Sequence, residues 1–377
     1  MKTMNTKIVR LESNEADEEV LREAGEILRR GGLVAFPTET VYGLGGDAMN
    51  PDSSKKIYAA KGRPSDNPLI VHIYRLEDLY KIVREVPEDA KKLAEVFWPG
   101  PLTMILKKND LVPCETTGGL DTVAVRMPSH EGAARMIQYA GGFVAAPSAN
   151  LSGKPSPTQA RFVIEDMNGR VDMIIDGGEV GIGLESTIVD LTVEPPQILR
   201  PGFITKEMLA EVLGRIENDE TLFTVKEGQA PRAPGMKYRH YAPKGELVIV
   251  SGEETKVSQY INEHLDRAKS AGEKTGVIAT DQTAGQYRAD VIKCAGDRRD
   301  EATIAHRLYS ILREFDEENV TKIYSESFGG ISANDGQTGD AGMKSGLGQA
   351  IMNRLLKAAG HQIINLQEAN NNDSNWQ

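Results

Sequence analysis

The 377-residue sequence has few cysteines, few aromatic residues and no excess of positive charge. Its two cysteines, Cys114 and Cys294, exclude a disulfide scaffold and a metal site built from several cysteines, so a reducing cytoplasmic setting is expected. Lys and Arg number 44 against 55 Asp and Glu, which gives a formal charge of −11. A protein that holds nucleic acid through a broad cationic face should be basic, so stable nucleic-acid binding is not expected.

Long apolar runs are also missing. No stretch approaches the roughly 18 uninterrupted apolar residues of a membrane-spanning helix, and residues 1–20 lack the apolar centre of a signal peptide. We therefore expect neither secretion through a leader nor association with a membrane. Because 40% of the residues are apolar, the chain can still bury substantial cores, and general disorder is excluded.

Strand-like and helical patterns alternate along most of the chain. The alternation over residues 1–216 predicts an α/β domain, and connections too short for a parallel crossover predict a mixed sheet. Residues 217–243 are polar and then rich in proline, which predicts a linker. A shorter alternation over 244–366 predicts a second α/β domain, and the asparagine-rich tail 367–377 is expected to be disordered.

The first domain contains polar loops next to predicted strands, where ligands of open α/β sheets usually bind. The loop 37–46 supplies hydroxyls, a carboxylate, a phenol and glycines. Lys61 and Arg63 follow, and a point charge beside a planar guanidinium suits phosphate or carboxylate, although two solvated cations in a loop are the alternative. His72 lies in an apolar run, where a histidine is more often a buried structural residue than a catalytic one.

Two further loops add hydrogen-bonding groups and a third cation. The loop 145–153 offers Ser148 and Asn150, which suit the orientation of a polar small molecule but also occur in an ordinary turn. The loop 181–187 adds a hydroxyl, and Arg200 follows the next apolar run. Each loop is a weak signal alone, whereas together they indicate a pocket for an anionic ligand.

Several standard motifs are absent or incomplete. The string 339–345 resembles a phosphate-binding Walker A loop but lacks its adjacent Gly-Lys pair. The string 43–48 fits a dinucleotide-binding pattern, yet it does not follow its strand directly. The histidines lack metal-site spacing, no G-x-S-x-G elbow occurs, and Cys114 has no partner in the sequence that would make it a nucleophile.

The loops, taken in order, resemble those of the threonylcarbamoyl-AMP synthases. The resemblance is to the two-domain form, and it implies a YrdC-like twisted mixed sheet with helices, joined by a linker to a smaller Rossmann-like α/β domain. The matching strings are 36–44, 61–64, 67–69, 98–103, 119–128, 146–150, 185–188, 199–202, 233–243 and 346–354.

The resemblance implies a nucleotidyltransferase that converts L-threonine, bicarbonate and ATP into threonylcarbamoyl-AMP and pyrophosphate. The product supplies N6-threonylcarbamoyladenosine at position 37 of tRNA, and the downstream threonylcarbamoyl transferase is a candidate partner. Mg²⁺ is expected to arrive with ATP, without assigned protein ligands.

The resemblance also implies roles for individual residues. Lys61 and Arg63 would act on the triphosphate as catalytic residues, and the linker residues Tyr238 and His240 would close over the pocket as a lid. The residues expected to bind L-threonine are Thr38, His72, Arg126 and Ser186. Those expected to bind ATP are Lys61, Arg63, Asn67, Thr117, Ser148, Asn150, Arg200, Tyr238 and His240.

Three other functions are compatible with parts of the sequence. A tRNA- or double-stranded-RNA-binding protein without catalysis is the main alternative, although the acidic charge argues against it. Carbamoyl transfer, as in hydrogenase maturation, would need zinc-finger cysteines that the chain lacks. A nicotinamide-dependent oxidoreductase would rest on the string 43–48 alone.

Overall fold

The computed structural model describes residues 5–12, 15–220, 222, 232–233, 240–328 and 346–366. Contacts divide the chain into a first unit, Met1–Ser152 with Ser156–Tyr238, and a second unit, Gly153–Pro155 with Arg239–Gln377. The tail 367–377, the string 339–345 and most of the linker lie outside the described residues. The domain limits drawn from the sequence stay predictions.

The first unit is built on a large mixed sheet. Its described elements are β1 (Lys7–Arg10), α1 (Glu15–Arg29), β2 (Val34–Phe36), β3 (Gly43–Asp47), α2 (Pro51–Lys61), β4 (Ile70–His72), α3 (Leu79–Ile82), α4 (Glu88–Phe97), β5 (Leu102–Lys107), β6 (Thr122–Arg126), α5 (Glu131–Tyr139), β7 (Val144–Ala145), α6 (Ala160–Met167), β8 (Met173–Asp176), β9 (Thr187–Asp190), β10 (Gln197–Arg200), α7 (Lys206–Leu213) and β11 (Glu217–Asn218). The strand order is β1-β8-β2-β3-β7-β4-β6-β5-β9-β10-β11. Parallel pairs such as β4–β6 and antiparallel pairs such as β5–β6 both occur, so the predicted mixed sheet is confirmed.

The two faces of the central strands belong to different cores. Since successive side chains of a strand point to opposite faces, Val71, Met104 and Val125 join the larger core. Their neighbours Ile70 and Ala124 lie in a smaller cluster on the other face. That second face also carries the polar groups described below.

Strand β3 occupies a segment that the sequence indicated to be a glycine-rich loop. A Cβ at Gly45 would lie 3.0 Å from Phe36 Cε1 and 3.0 Å from Val144 Cγ1. The side chains of the flanking strands therefore fill the space that a larger residue would need. Tertiary packing, and not strand propensity, accounts for this strand.

The second unit contains a smaller, fully parallel sheet among its described residues. Its elements are β12 (Glu246–Ser251), α8 (Glu254–Ser270), β13 (Thr275–Ala279), β14 (Val291–Cys294), α9 (Glu301–Glu317), β15 (Lys322–Glu326), α10 (Gly346–Ala358) and β16 (Ile363–Asn365). The strand order is β14-β13-β15-β12-β16. Helices between parallel strands confirm the Rossmann-like architecture predicted for this domain.

A short segment of the second unit comes from the middle of the N-terminal sequence. Arg313 of α9 is buried and its Nη2 donates a hydrogen bond of 2.7 Å to the carbonyl oxygen of Pro155. The ring of Tyr241 lies 5.1 Å from that of Tyr309 on the same helix. The Ala242 N–H also donates to the Gly153 carbonyl oxygen at 3.0 Å, so residues 153–155 contact the second unit through Arg313 and Ala242.

None of the helices described here combines the length and the apolar character that crossing a membrane requires.

Candidate active site

Five neighbouring strands place a row of side chains on one face of the first sheet. In the pairing register, His72 of β4 lies opposite Arg126 of β6, and Arg126 lies opposite Thr103 of β5. Thr103 pairs with Ile188 of β9, which pairs with Arg200 of β10. Directly paired residues share a face of the sheet. The row therefore brings together three of the predicted binding residues, which come from strands distant in the sequence.

Arg200 and Ser186 form the outer end of this row. Arg200 Nε donates to the Ser186 carbonyl oxygen at 3.0 Å, and Nη2 donates to Ser186 Oγ at 3.2 Å. Ser186 Oγ lies 2.7 Å from Thr103 Oγ1, and all three side chains are buried. The hydroxyl of Ser186 and the guanidinium of Arg200 are therefore held in one hydrogen-bond network.

Arg126 is buried at the centre of the row beside a carboxylate. Its Nη2 lies 2.7 Å from Glu39 Oε1, and its Nη1 donates to Thr40 Oγ1 at 2.9 Å. Thr40 Oγ1 lies 2.9 Å from Thr38 Oγ1. Burial disfavours the charge on Glu39, but the guanidinium of Arg126 outweighs it and holds the pKa of Glu39 below its usual range. The predicted residues Thr38 and Arg126 thus belong to one network.

His72 completes the row as a neutral histidine. Burial, assisted by the positive charge of Arg126, lowers the pKa of His72 to about 3. Nδ1 lies 3.2 Å from the Ile70 carbonyl oxygen, and the Val144 backbone also hydrogen-bonds to the ring. His72 can therefore orient a ligand through hydrogen bonds, but it is not a proton carrier near pH 7.

Lys61 is the last residue of α2 and is almost completely buried. Gly62, with φ 62°, ends the helix in the left-handed conformation and turns the chain. Lys61 Nζ donates to the carbonyl oxygens of Ser148 and Asn150, the latter at 2.6 Å. Ser148 Oγ donates to Asn150 Oδ1 at 2.5 Å. The structure therefore brings the predicted residues Lys61, Ser148 and Asn150 into direct contact.

Arg63 contacts a different predicted residue, Asn67. Its Nη2 donates to Asn67 Oδ1 at 2.5 Å and to the Pro68 carbonyl oxygen at 3.1 Å. Asn67 is fully buried, and its Nδ2 has no hydrogen-bond partner among the described residues. Thr117 is also buried and donates to the Leu120 carbonyl oxygen at 2.8 Å. An amide NH₂ without a partner in a buried position is suited to donate to a ligand.

The short strand β4 connects the two groups of residues. Its N-terminal end follows Asn67, and the loop carrying Ser148 runs back beside it, since the Ala146 N–H donates to the Ile70 carbonyl oxygen at 2.9 Å. Its other end carries His72, next to Arg126. From Ile70 to His72 the backbone rises by about 7 Å. Strand β4 therefore links the segment that contains Asn67 directly to the row.

Two predicted residues of the linker cannot be placed in this arrangement. Tyr238 lies outside the described residues. His240 is described with the second unit, where its ring lies 5.5 Å from that of Tyr241. Their roles in a lid stay predictions.

The structure also shows polar groups that were not among the predicted site residues. Glu39 and Thr103 lie in strings that carried the family resemblance, so a signal for them was present. Arg232 also ion-pairs near this face, and no motif marked it. In the described part of the chain, no group of three or more His, Cys, Asp or Glu side chains could hold a metal ion.

Comparison with known proteins identifies the family. A family model described as "Telomere recombination" matches residues 26–202, and one described as "Threonylcarbamoyl-AMP synthase, C-terminal domain" matches residues 204–360. The threonylcarbamoyl-AMP synthase of Pyrococcus abyssi is 47% identical over 348 residues, which are 92% of this chain and 96% of that protein. The chain belongs to the threonylcarbamoyl-AMP synthase family. It is therefore an enzyme, and the family predicted from the loops is confirmed.

Other members agree with this assignment. The threonylcarbamoyl-AMP synthase of Bacillus subtilis is 47% identical over 345 residues, covering 91% of this chain and 94% of that protein. A solved structure of P. abyssi Sua5 complexed with L-threonine superimposes with a TM-score of 0.85 at 45% identity, covering 96% of this chain and 99% of that one. The two-domain fold of this synthase family is thereby confirmed for the chain.

Proposed function

We propose that the chain synthesises L-threonylcarbamoyl-AMP from L-threonine, bicarbonate and ATP, with release of pyrophosphate. The product would supply N6-threonylcarbamoyladenosine at position 37 of tRNA, in the cytoplasm, through the downstream threonylcarbamoyl transferase. Two relatives at 47% identity bear the name of this synthase, and the P. abyssi protein binds L-threonine in its structure. The observation that carries the proposal is that Lys61 is buried against Ser148 and Asn150, while Arg126 and Arg200 are buried in the row on the sheet.

The row on the sheet is the proposed L-threonine site. Arg126 would bind the carboxylate of the amino acid, with Thr38 and Ser186 supplying hydroxyls and neutral His72 a further hydrogen bond. Their existing hydrogen bonds fix these side chains before the ligand arrives. Such preorganisation lowers the entropic cost of binding.

The group around Lys61 is the proposed triphosphate site. Lys61 and Arg63 would face the phosphates, and Asn67, Thr117, Ser148, Asn150 and Arg200 would hydrogen-bond to the nucleotide. Tyr238 and His240 would cover it. Mg²⁺ is expected to accompany the nucleotide substrate, because phosphate oxygens satisfy its preference for oxygen ligands.

The reaction needs no covalent enzyme intermediate. The threonine amine attacks the carbon of bicarbonate, and loss of water leaves an N-carboxylate. A carboxylate oxygen then attacks the α-phosphorus of ATP, a new O–P bond forms, and the bond to the β-phosphate breaks to release pyrophosphate. The enzyme would contribute positioning of the two substrates and neutralisation of phosphate charge by Lys61 and Arg63.

Pyrophosphate release tests the proposal. The full chain is incubated with labelled ATP, L-threonine and bicarbonate, and we expect pyrophosphate and a threonine-containing adenylate in equal amounts. Omission of threonine should abolish both products. Equal pyrophosphate release with and without threonine would contradict the proposed reaction.

A further inference from the structure

Two described residues of the proline-rich segment, Arg232 and Ala233, lie on the face of the sheet that carries the candidate active site. Ala233 is completely buried. It packs in one cluster with Ile70, Ile105, Ala124, Ile188 and Leu199. This chain segment therefore rests against the sheet, at a distance in sequence from every strand that it contacts.

The pairing register gives the position of Ala233 relative to the row. Ile70, Ala124 and Ile105 pair with one another, each two residues along its strand from His72, Arg126 and Thr103 respectively. Two residues of a strand span about 7 Å and return to the same face. The cluster that contains Ala233 thus lies immediately beside the polar row.

Arg232 fixes this segment through two buried carboxylates. Its Nη1 lies 3.3 Å from Asp190 Oδ2, and its Nη2 forms an ion pair with Asp219. Nη2 also lies 3.3 Å from Gln197 Oε1. Asp190 pairs in register with Ile105 and with Gln197, so the anchor continues the same apolar row toward the edge of the sheet.

The burial of these two carboxylates favours one specific position for Arg232. Asp190 and Asp219 are 4% and 8% exposed, and a buried carboxylate that loses its cation is costly. A guanidinium can reach two acids at once, which a lysine ammonium does less well. The pairing of Arg232 with these carboxylates therefore restricts the position of the next residue, Ala233.

We propose that Arg232 is a positioning residue that seats Ala233 on the sheet, so that Ala233 forms one wall of the L-threonine pocket. The inference rests on the proposed function for the identity of the ligand. The wall keeps water away from the side of Arg126 that faces the apolar row, which strengthens the hydrogen bonds made to a bound carboxylate. Arg232 itself touches no substrate.

The first experiment tests the seat without using activity. In a Cys114→Ser/Cys294→Ser background, Ala233→Cys introduces one thiol into the full chain. We expect slow alkylation of this thiol when Arg232 is present and at least tenfold faster alkylation after Arg232→Ala. Rapid alkylation with Arg232 intact, or an equal rate in both proteins, would contradict the proposal that Arg232 holds residue 233 against the sheet.

The second experiment tests the wall. Calorimetric titration with L-threonine and steady-state pyrophosphate release are measured for wild type, Arg232→Ala, Arg232→Lys and Ala233→Leu. We expect the Kd and the KM for L-threonine to rise about tenfold in Arg232→Ala, with a smaller rise in Arg232→Lys and little change in kcat. Ala233→Leu should weaken threonine binding while Arg232 stays in place.

Arg215→Ala is the matched control. Arg215 also forms an ion pair near this sheet edge, 2.9 Å from Glu217, but its side chain is 73% exposed. We expect its threonine affinity to equal that of the wild type. Equal affinities for L-threonine in Arg215→Ala, Arg232→Ala and Ala233→Leu would contradict the proposal that Ala233 forms one wall of the L-threonine pocket. A wild-type protein that releases no pyrophosphate would contradict the proposed function instead. The alkylation rates would still show whether Arg232 holds residue 233 against the sheet.

Discussion

Replacement of Glu39 by glutamine should destabilise the first unit, because it leaves the guanidinium of Arg126 without its counter-charge. The two groups are 2.7 Å apart, with side-chain exposures of 15% for Glu39 and 5% for Arg126. Breaking a buried ion pair from one side costs about 3–5 kcal/mol, and since Glu39 is partly accessible we expect about 3 kcal/mol. The pair should be worth far more than a surface ion pair.

The effect should depend on pH in a defined direction. The pKa of Glu39 in the folded protein is below its ordinary value of 4.5, so its stabilising contribution is complete above that value. The contribution is lost as the pH falls through the lowered pKa of the folded state. The stability difference between wild type and Glu39→Gln should therefore be full at pH 7 and smaller below about pH 4.

Urea unfolding followed by the fluorescence of Trp98 measures this difference in the first unit. The protein has two tryptophans, so the wild-type reference and each variant carry Trp376→Phe to leave Trp98 as the reporter. Glu23→Gln is the control, since Glu23 pairs with Lys7 at 2.6 Å but both side chains are about half exposed, and such pairs contribute about 0–1 kcal/mol. A Glu39→Gln effect no larger than that of the control, or one unchanged by acid, would refute the reasoning.

Three further outcomes are expected. Lys61→Ala should abolish threonine-dependent pyrophosphate release while the circular dichroism spectrum stays that of the wild type, and near-normal turnover would argue against the triphosphate site. His72→Gln should leave the shape of the pH–rate profile between pH 5 and 8 unchanged, because the pKa of His72 is about 3, whereas loss of an ionisation in that range would show that His72 titrates there. Gly45→Ala should destabilise the protein by about 1–3 kcal/mol, since its Cβ would lie 3.0 Å from Phe36 and from Val144, and an unchanged melting temperature would show that the sheet relaxes freely.

Much of the architecture could be predicted from local patterns. The alternation of apolar strands with amphipathic helices indicated two α/β units, and short connections indicated a mixed sheet. The apolar, β-branched run 122–127 predicts a strand, and the structure has one over Thr122–Arg126, because β-branched residues and burial favour the same conformation there. The strand Gly43–Asp47 was missed, since only the surrounding Phe36 and Val144 make glycine acceptable in it.

The candidate site, like the fold, could be predicted from the sequence only in part. The residue types of the polar loops indicated an anionic ligand, and the structure places Lys61 against Ser148 and Asn150. The ion pair between Glu39 and Arg126 was not anticipated, because nothing in the local sequence states which cation a loop carboxylate will meet.

The sequence by itself determined the residue types of the site, the family and the alternation of helices with strands in two domains. Those features depend on residue type and on periodicity, which are local properties. The tertiary structure decided that His72, Arg126 and Arg200 share one row, and that Arg232 reaches Asp190 and Asp219 beside it. Strand register is the physical reason, because a shift of one residue would turn each of these side chains to the opposite face. Register is set by pairing between strands that are distant along the chain, which no local pattern records.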